Sequence, residues 1–276
     1  MRIPFVKMSG AGNDFVLIDT RTARYPVAWP EFARRACARR MGIGADGLLI
    51  VKTGNDSPYA MEYYNADGST GSMCGNGGRC AAAYLMNQTN VRTVSFFAVD
   101  FLYRADREGH LVRLGMKPIE RIDSRKQIKI FDQSINYLYC NSGSPHVIIQ
   151  YRDLPKEWRD EIVAEGLSRI GGAIRRHEAF APGGVNVNFI EPTTDGRLSM
   201  RTYERGVEDE TLACGTGAVA CSVVASHLGL FSSPVTVLTR SGEELTVYFS
   251  QDSGRFTGIQ LEGSARTVYE GSIEYA

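Results

Sequence analysis

The sequence predicts an α+β protein built from two related halves. Strand-like segments, rich in β-branched and aromatic residues and bounded by Gly, Asp, Asn or Pro, outnumber helix-like segments and do not alternate with them. That order favours α+β over a doubly wound parallel sheet, in which strands and helices take turns. In addition, one pattern of strand, polar loop, Cys-Gly-x-Gly turn and small-residue helix occurs twice, in 61–85 and 200–226.

Local composition places the individual elements. We expect strands at 16–19, 47–51, 93–99, 111–116, 136–140, 146–151, 185–190, 198–204, 235–239, 245–250 and 256–263. Apolar spacing predicts helices at 29–41, 77–87, 157–169 and 216–229. Gly42 is expected to end the first of these helices as a C-terminal glycine.

The internal repeat divides the chain. Its leading cysteines, Cys74 and Cys214, are separated by about half the chain, and each is followed by a second cysteine, Cys80 or Cys221. Two halves of ordinary domain size fit this spacing. We expect the first half to span 1–118, with the tail 265–276 packing back on it, and the second half to span 119–264.

Bulk composition excludes several classes of protein. Lys plus Arg and Asp plus Glu are 31 each, so the net charge is zero, and nothing in it favours nucleic acid or an anionic membrane as a partner. No apolar run approaches the ~20 residues that a membrane-spanning helix needs. The first residues lack the apolar core of a signal peptide. We therefore expect a cytoplasmic protein whose six cysteines are thiols.

Two motifs suggest ligand binding, but their flanking elements or spacing do not fit such a site. The stretch "GIGADG" (42–47) matches a dinucleotide-binding fingerprint, but a helix-like segment precedes it and a strand follows, which inverts the required order. Structural zinc sites use cysteines two to four residues apart. Neither Cys74 with Cys80 nor Cys214 with Cys221 fits, so we expect no metal. These second cysteines, with Cys37 and Cys140, are interpreted as core residues.

The Cys-Gly turns carry the chemistry. At a helix N-terminus, N–H groups without internal partners and the helix dipole favour thiolate, and such cysteines fall from a pKa of ~8.5 to ~3.5–7.5. The same N–H groups can hold a carboxylate. Two such turns facing each other across a cleft would bind a carboxylate between two sulfurs. One thiolate would remove the α-proton and the other thiol would return one from the opposite face.

A single turn leaves other interpretations open. Alone, it is equally consistent with a buried structural cysteine at a helix start. The duplicated pair favours catalysis over that interpretation. A thiol redox or binding protein without turnover stays a remote alternative.

An ordered set of motifs closely resembles the diaminopimelate epimerase family, whose members interconvert LL- and meso-diaminopimelate without pyridoxal phosphate. The matching stretches are "MSGAGNDF" (8–15), "GIGADGLL" (42–49), "YNADGS" (64–69), "CGNGGRCAA" (74–82), "GSPHVI" (143–148), "VNVNF" (185–189), "YERGVEDETLACGTGA" (203–218) and "TVYEG" (267–271). The resemblance implies two pseudo-symmetric halves, each a curled, mostly antiparallel sheet around a central helix, with the active site in the cleft between them. It also implies a homodimer that serves lysine and peptidoglycan biosynthesis and needs no cofactor.

The resemblance assigns roles to particular residues. Cys74 and Cys214 match the catalytic pair. Matches to substrate-binding positions are Asn13, Asn65, Asn186, Glu204 and Arg205, with the backbone N–H groups of Gly75, Asn76, Gly215 and Thr216. His146 and Glu204 match residues that tune the thiols, and Tyr269 matches a tyrosine of the dimer contact.

Three departures bear on the substrate. Ser144 stands where many family members have Asn, and its shorter hydroxyl is expected to reach the distal end of the substrate, in part through water. Gly47 replaces a Gln that touches the substrate in some members. The loop "GVEDETLAC" (206–214) is one residue longer than in some members. A racemase or epimerase of proline, hydroxyproline or glutamate is therefore the main alternative.

Overall fold

The chain is described over residues 1–55 and 57–275 by a computed structural model, and it divides into two units. Unit 1 comprises Met1–Gly115 together with the segment from Glu262 onward, and unit 2 comprises Met116–Leu261. Unit 1 contains the first Cys-Gly-x-Gly turn and unit 2 contains the second. Within the described ranges, no helix is both long and apolar enough to cross a bilayer.

Strands dominate both units. They are β1 (Arg2–Gly10), β2 (Asn13–Asp19), β3 (Gly47–Thr53), β4 (Tyr59–Asn65), β5 (Thr93–Ala98), β6 (Phe101–Glu108), β7 (Leu111–Gly115), β8 (Lys126–Ile130), β9 (Gln133–Asn141), β10 (Pro145–Gln150), β11 (Asn186–Pro192), β12 (Leu198–Glu204), β13 (Asp209–Thr211), β14 (Val235–Leu238), β15 (Glu244–Asp252), β16 (Arg255–Ser264) and β17 (Arg266–Glu274). The α-helices are α1 (Trp29–Cys37), α2 (Gly75–Thr89), α3 (Lys156–Glu165), α4 (Ser168–Arg175) and α5 (Gly215–His227).

The two units repeat one order of strand pairing. In unit 1, β1–β2 is antiparallel, β2–β3 parallel, β3–β4 antiparallel, β4–β5 parallel and β5–β6 antiparallel. In unit 2, β9–β10, β10–β11, β11–β12, β12–β14 and β14–β15 follow the same sequence of directions. In each unit a further strand pairs with the first one, β17 with β1 and β8 with β9, both antiparallel. The predicted α+β class with two related halves is confirmed.

A buried helix lies at the centre of each unit. Every residue of α5 from Gly215 to Ala225 is buried, and α2 is buried over Gly75–Ala83. A helix buried on all sides belongs to a core, and small residues let strands approach it closely. Accordingly, α2 contacts β1 to β7, and α5 contacts β9 to β12, β14 and β15. Each sheet therefore curls around its helix, as the family resemblance implied.

The remaining helices cover the outer face of each sheet. The amphipathic α1 packs Phe32, Ala33 and Ala36 against strands of unit 1, in a cluster that includes Val16 and Leu48. In unit 2, α4 packs in the same manner against β11 and β12, and α3 packs on α4 and adds Trp158 and Ile162 to the same cluster. Strands with both faces covered are apolar without a break, as the buried run from Gly47 to Val51 in β3 illustrates.

Two helix boundaries differ from the prediction. α1 ends at Cys37 rather than 41, and the left-handed glycine that follows is Gly44 (φ +78), not Gly42. Gly42 is required for a different reason, since a Cβ there would lie 2.2 Å from the carbonyl oxygen of Arg35. The helix predicted over 157–169 is two helices, because Gly166 (φ +88) ends α3 with a backbone conformation that disfavours other residues.

Candidate active site

Cys74 and Cys214 occupy the same position at the starts of α2 and α5. Both have an extended N-cap conformation, with φ −101 and ψ 112 at Cys74 and φ −126 and ψ 110 at Cys214. Each accepts the first intrahelical bond through its carbonyl oxygen, at 2.8 Å from the amide nitrogen of Gly78 or Ala218. The predicted helix starts are confirmed. The side chain of each cysteine therefore lies beside first-turn N–H groups.

The first-turn residues of the two helices match each other in position. Gly75 and Asn76 follow Cys74, and Gly215 and Thr216 follow Cys214, as the first two residues of their helices. Amides at these positions have no carbonyl partner within the helix. Gly77, the third residue of α2, donates its N–H to Cys74 Sγ at 3.3 Å. A hydrogen bond of this kind is stronger when the sulfur is a thiolate.

The six cysteines fall into two groups. All are thiols; Cys74 is partly exposed and the other five are buried, Cys214 at 4 % exposure. Burial raises the pKa of Cys37, Cys80 and Cys140 to about 12 and that of Cys221 well above its ordinary value. The prediction that these four are core residues is confirmed.

In unit 1, a chain of polar contacts runs beneath the Cys74 turn. Asn13 donates to Asp46 at 2.9 Å and accepts from the side-chain amide of Asn76. The Asn76 side-chain oxygen in turn accepts from Arg79 at 2.9 Å, and Arg79 is fully buried. Two predicted site residues, Asn13 and Asn76, are thus in direct contact. Sequence reasoning did not identify Asp46 or Arg79.

Asn65 lies opposite Gly47 in the pairing of β3 with β4. Its side chain donates to Ser69 Oγ at 2.9 Å. A Cβ at Gly47 would lie 2.4 Å from the ring of Tyr63, and one at Gly71 would lie 2.1 Å from the same ring. The Tyr63 ring therefore fills the space where some relatives are expected to carry the Gln side chain. Tyr63 had no sequence signal beyond the departure at Gly47.

In unit 2, three of the predicted substrate-binding residues meet. Asn186 donates to Ser144 Oγ at 3.1 Å and to the carbonyl of Pro145 at 3.1 Å. Its side-chain oxygen accepts the backbone N–H of Arg205 at 2.9 Å. Every hydrogen-bonding group of the Asn186 amide is thus directed at a neighbour. Asn186 therefore holds Ser144 and the Arg205 backbone in fixed positions.

Glu204 ends β12, where its carboxylate accepts from the hydroxyl of Thr211 at 2.9 Å. The acidic stretch that follows forms ion pairs with arginines of unit 2. Glu208 pairs with Arg175 at 2.8 Å, and Glu210 pairs with Arg201 at 2.7 Å. Glu208 adopts a left-handed backbone (φ +61).

His146 is fully buried and contacts the Cys214 turn through a hydroxyl. Its Nε2 lies 3.0 Å from Thr216 Oγ1, which lies 3.6 Å from Cys214 Sγ. Its Nδ1 lies 3.1 Å from the side-chain nitrogen of Asn188. Burial, together with the positive charge of Arg205, lowers the pKa of His146 to about 3. The imidazole is therefore neutral at neutral pH.

Tyr269, the predicted dimer residue, lies on β17 opposite Lys7 of β1 and is 45 % exposed. Its ring packs edge-on against Phe5, with 5.9 Å between ring centroids. Among the residues that the structure describes, no cluster of three or more His, Cys, Asp or Glu side chains could hold a metal ion.

The chain is similar to known proteins over most of its length. The family model described as diaminopimelate epimerase matches residues 5–101 and 138–268. The chain belongs to the diaminopimelate epimerase family. It is 42% identical to the diaminopimelate epimerase of Chlorobaculum tepidum, over 96% of this chain and 99% of that protein. It is 38% identical to that of Aquifex aeolicus, over 98% and 97%. This membership confirms the predicted enzyme class, an isomerase.

Solved structures give the same fold at low identity. A hydroxyproline epimerase from Agrobacterium vitis, solved with bound trans-4-hydroxy-L-proline, superposes with a TM-score of 0.73 at 16% identity, over 99% of this chain and 91% of that chain. A phenazine biosynthesis protein of the PhzF family from Bacillus anthracis gives 0.71 at 12% identity, over the full length of both. Members of this family thus share their two-unit architecture with structures of quite different sequence.

Proposed function

We propose that the chain interconverts LL- and meso-diaminopimelate by a two-cysteine acid–base reaction without a cofactor. The single observation that carries the proposal is the duplicated turn, in which Cys74 and Cys214 cap equivalent buried helices. Its relatives named diaminopimelate epimerase match it over nearly their whole length. An amino acid with a carboxylate beside the reacting carbon is the substrate class that two such turns fit.

In the proposed reaction, the substrate lies in a cleft between the two halves. Its α-carboxylate accepts hydrogen bonds from the amides of Gly75, Asn76, Gly215 and Thr216. One cysteine, as thiolate, takes the α-proton, so a C–H bond breaks and an S–H bond forms. The electron pair left on carbon spreads into the carboxylate, where the helix N-termini stabilise it. The other cysteine then gives its proton to the opposite face.

The sulfurs exchange protonation states in each turnover. After one stereoisomer has been converted, the thiol and the thiolate are in the states required to convert the other. The reaction is therefore reversible. Beyond the reacting carbon, Glu204 accepts from the substrate ammonium, and Arg205 binds a carboxylate through two parallel hydrogen bonds. Other polar side chains assigned to the substrate are Asn13, Asn65, Ser144 and Asn186.

The proposal extends to assembly and setting. A homodimer would use the exposed Tyr269 on β17, where an aromatic residue on a sheet edge offers contact area to a second copy. A cytoplasmic role in the synthesis of lysine and peptidoglycan precursors fits the substrate. Sedimentation of the purified protein would test the dimer, and Tyr269→Glu should shift it toward monomer.

The decisive experiment follows the α-hydrogen. Purified protein in deuterated water should place deuterium on diaminopimelate and invert the configuration, with mass spectrometry and chiral chromatography as the readouts. Cys74→Ala and Cys214→Ala should each abolish inversion. Matched controls are Cys80→Ala and Cys221→Ala, which change buried cysteines on the same two helices and should keep it. Full inversion by either Cys74→Ala or Cys214→Ala would refute the two-thiol reaction.

A panel of substrates separates the alternatives. Preference for proline, hydroxyproline or glutamate over diaminopimelate would overturn the substrate assignment and leave the chemistry intact. Reversible thiol oxidation without α-hydrogen exchange on any amino acid would favour a redox or binding role.

A further inference from the structure

A buried line of polar side chains leads to Cys214 within unit 2. Thr202 donates to Asn188 Oδ1 at 2.9 Å, Asn188 contacts His146, and His146 contacts the hydroxyl of Thr216, which lies 3.6 Å from Cys214 Sγ. All five residues are at most 5 % exposed. Buried polar groups cost free energy unless each has a partner, so the hydrogen positions along this line are constrained by its ends.

The amide of Asn188 can face only one way. Its nitrogen lies 3.0 Å from the carbonyl oxygen of Val147, which can only accept. Its oxygen faces the hydroxyl of Thr202, its partner in the pairing of β11 with β12. The Asn188 nitrogen therefore uses one hydrogen on Val147 and directs the other at His146 Nδ1.

That hydrogen decides the tautomer of His146. Because Asn188 donates to Nδ1, Nδ1 must be an unprotonated acceptor, and the ring hydrogen lies on Nε2. Nε2–H then donates to Thr216 Oγ1 at 3.0 Å. Thr216 Oγ1 thus accepts a hydrogen bond from His146, and its own hydrogen can be donated to a different acceptor. Cys214 Sγ lies within reach of that hydrogen.

We propose that Asn188 is a positioning residue, which holds His146 as the Nε2–H tautomer so that Thr216 presents its hydroxyl hydrogen to Cys214 Sγ. The line of bonds has one direction, from Asn188 to the sulfur, and it favours thiolate at Cys214. His146 in this arrangement is a fixed donor and does not accept the proton of the thiol. The effect of this line of hydrogen bonds on turnover rests on the proposed function, but the hydrogen bonds themselves do not.

The backbone near Thr216 keeps the hydroxyl in place. Ser142 donates to the Thr216 carbonyl at 2.7 Å, which ties the first turn of α5 to the end of β9. At the other turn, the corresponding residue is Asn76, whose side chain is directed at Asn13. There the Gly77 N–H donates to Cys74 Sγ. The two sulfurs are thus stabilised by different kinds of donor, a side-chain hydroxyl at Cys214 and a backbone amide at Cys74.

Nitrogen-15 NMR of the imidazole rings tests the tautomer directly, with His146→Gln used to assign the signal. Wild-type protein should show Nε2 protonated and Nδ1 unprotonated across the neutral pH range. Asn188→Asp replaces the donor with an acceptor and should move the hydrogen to Nδ1. A wild-type ring that carries its hydrogen on Nδ1 would overturn the proposal.

The pH dependence of Cys214 alkylation, followed by mass spectrometry, tests the effect on sulfur. Thr216→Val, which removes only the hydroxyl, should slow alkylation about tenfold at neutral pH, because a hydrogen bond to a charged group is lost. Thr216→Ser should restore the wild-type rate, and Asn188→Asp should match Thr216→Val. Alkylation of Cys74 is the internal control and should be unchanged in all three.

Equal Cys214 rates in wild type and Thr216→Val would contradict the proposal. Neither measurement uses a substrate, so an enzyme that fails to act on diaminopimelate would refute the function and leave this arrangement standing. If the Asn188 variant does not fold, the wild-type NMR signal still tests the tautomer, and the two Thr216 variants still test the effect on the sulfur. With diaminopimelate, Thr216→Val should lower kcat about tenfold and leave KM nearly unchanged.

Discussion

An added methyl group at Gly217 should disturb the Cys214 turn. A Cβ there would lie 2.8 Å from Asn188 Oδ1, 3.1 Å from Cys214 Cβ and 3.2 Å from Cys214 Sγ. The matching residue of unit 1 is Gly77, where a Cβ would meet the flexible end of Leu49 at 3.0 Å and the Cβ and Sγ atoms of Cys74 at 3.5 Å. Gly217→Ala and Gly77→Ala therefore place the same change at equivalent helix positions with different surroundings.

The expected changes in the free energy of unfolding differ in size. Gly to Ala within a helix stabilises by about 0.5–1 kcal/mol when space allows. Overpacking of a tight site costs about 1–3 kcal/mol. At Gly217 the displaced atom is a hydrogen-bonded oxygen, which adds the weakened bond to Thr202, worth about 0.5–1.5 kcal/mol. We expect Gly217→Ala to lower the free energy of unfolding by about 1–3 kcal/mol, and Gly77→Ala to change it by less than about 1 kcal/mol.

Urea unfolding of both variants measures the difference, and α-deuterium incorporation measures its effect on catalysis. Displacement of the Asn188 amide should disturb the bonds to His146 and, through them, the bond from Thr216 to the Cys214 thiolate. Loss of that bond to a charged sulfur should lower the activity of Gly217→Ala about tenfold. Gly77→Ala should stay within a few-fold of wild type. Equal stability and activity in the two variants would show that the contact with Asn188 has no energetic importance.

Three further predictions follow from burial. Burial lowers the pKa of His146 from 6.5 to about 3, so the unfolded chain binds the extra proton, and the stability that this ring supplies is complete above pH 6.5 and lost as the pH falls toward 3. Wild type should therefore have a higher free energy of unfolding in urea than His146→Gln, and the difference should fall by up to about 1.4 kcal/mol per pH unit on acidification. A pH-independent difference would contradict this. Iodoacetamide should modify Cys74 first and Cys214 more slowly, whereas comparable modification of any of the other four cysteines in native protein would be inconsistent with their raised pKa. Gly47→Gln should destabilise the protein because the Tyr63 ring occupies the space, and Tyr63→Ala should relieve part of that cost in a double-mutant cycle; strictly additive effects would argue against the contact.

Local signals made the core of the fold predictable. Both central helices were located because a cysteine, a pair of glycines and a run of small residues mark a buried helix start. β17 was missed because most of its nine residues are exposed, so it lacks the apolar alternation that marks a strand. What makes it a strand is its pairing with β1, which no local pattern encodes. The ends of α1 and α3 depended on Gly44 and Gly166, whose conformations are set by the packing around them.

The residues of the candidate site likewise divide into those that the sequence identified and those that it did not. Resemblance named Asn186, Ser144 and Arg205 individually, and the structure brings them into contact. Asn188 was missed, although it lies two residues after Asn186 and thus on the same face of β11. A second Asn in the strand "VNVNF" was the available signal. Tyr63 had none, because its role depends on space left by glycines elsewhere in unit 1.

The discontinuity of unit 1 has a consequence for synthesis on the ribosome. β1 emerges before unit 2, but one of its two partners, β17, emerges only after all of unit 2. Unit 2 can complete its core while one edge of β1 is still without its strand. An open edge of this kind templates pairing with other chains. Nascent or truncated chains that end before β17 should therefore be the species most prone to aggregate and most dependent on chaperones.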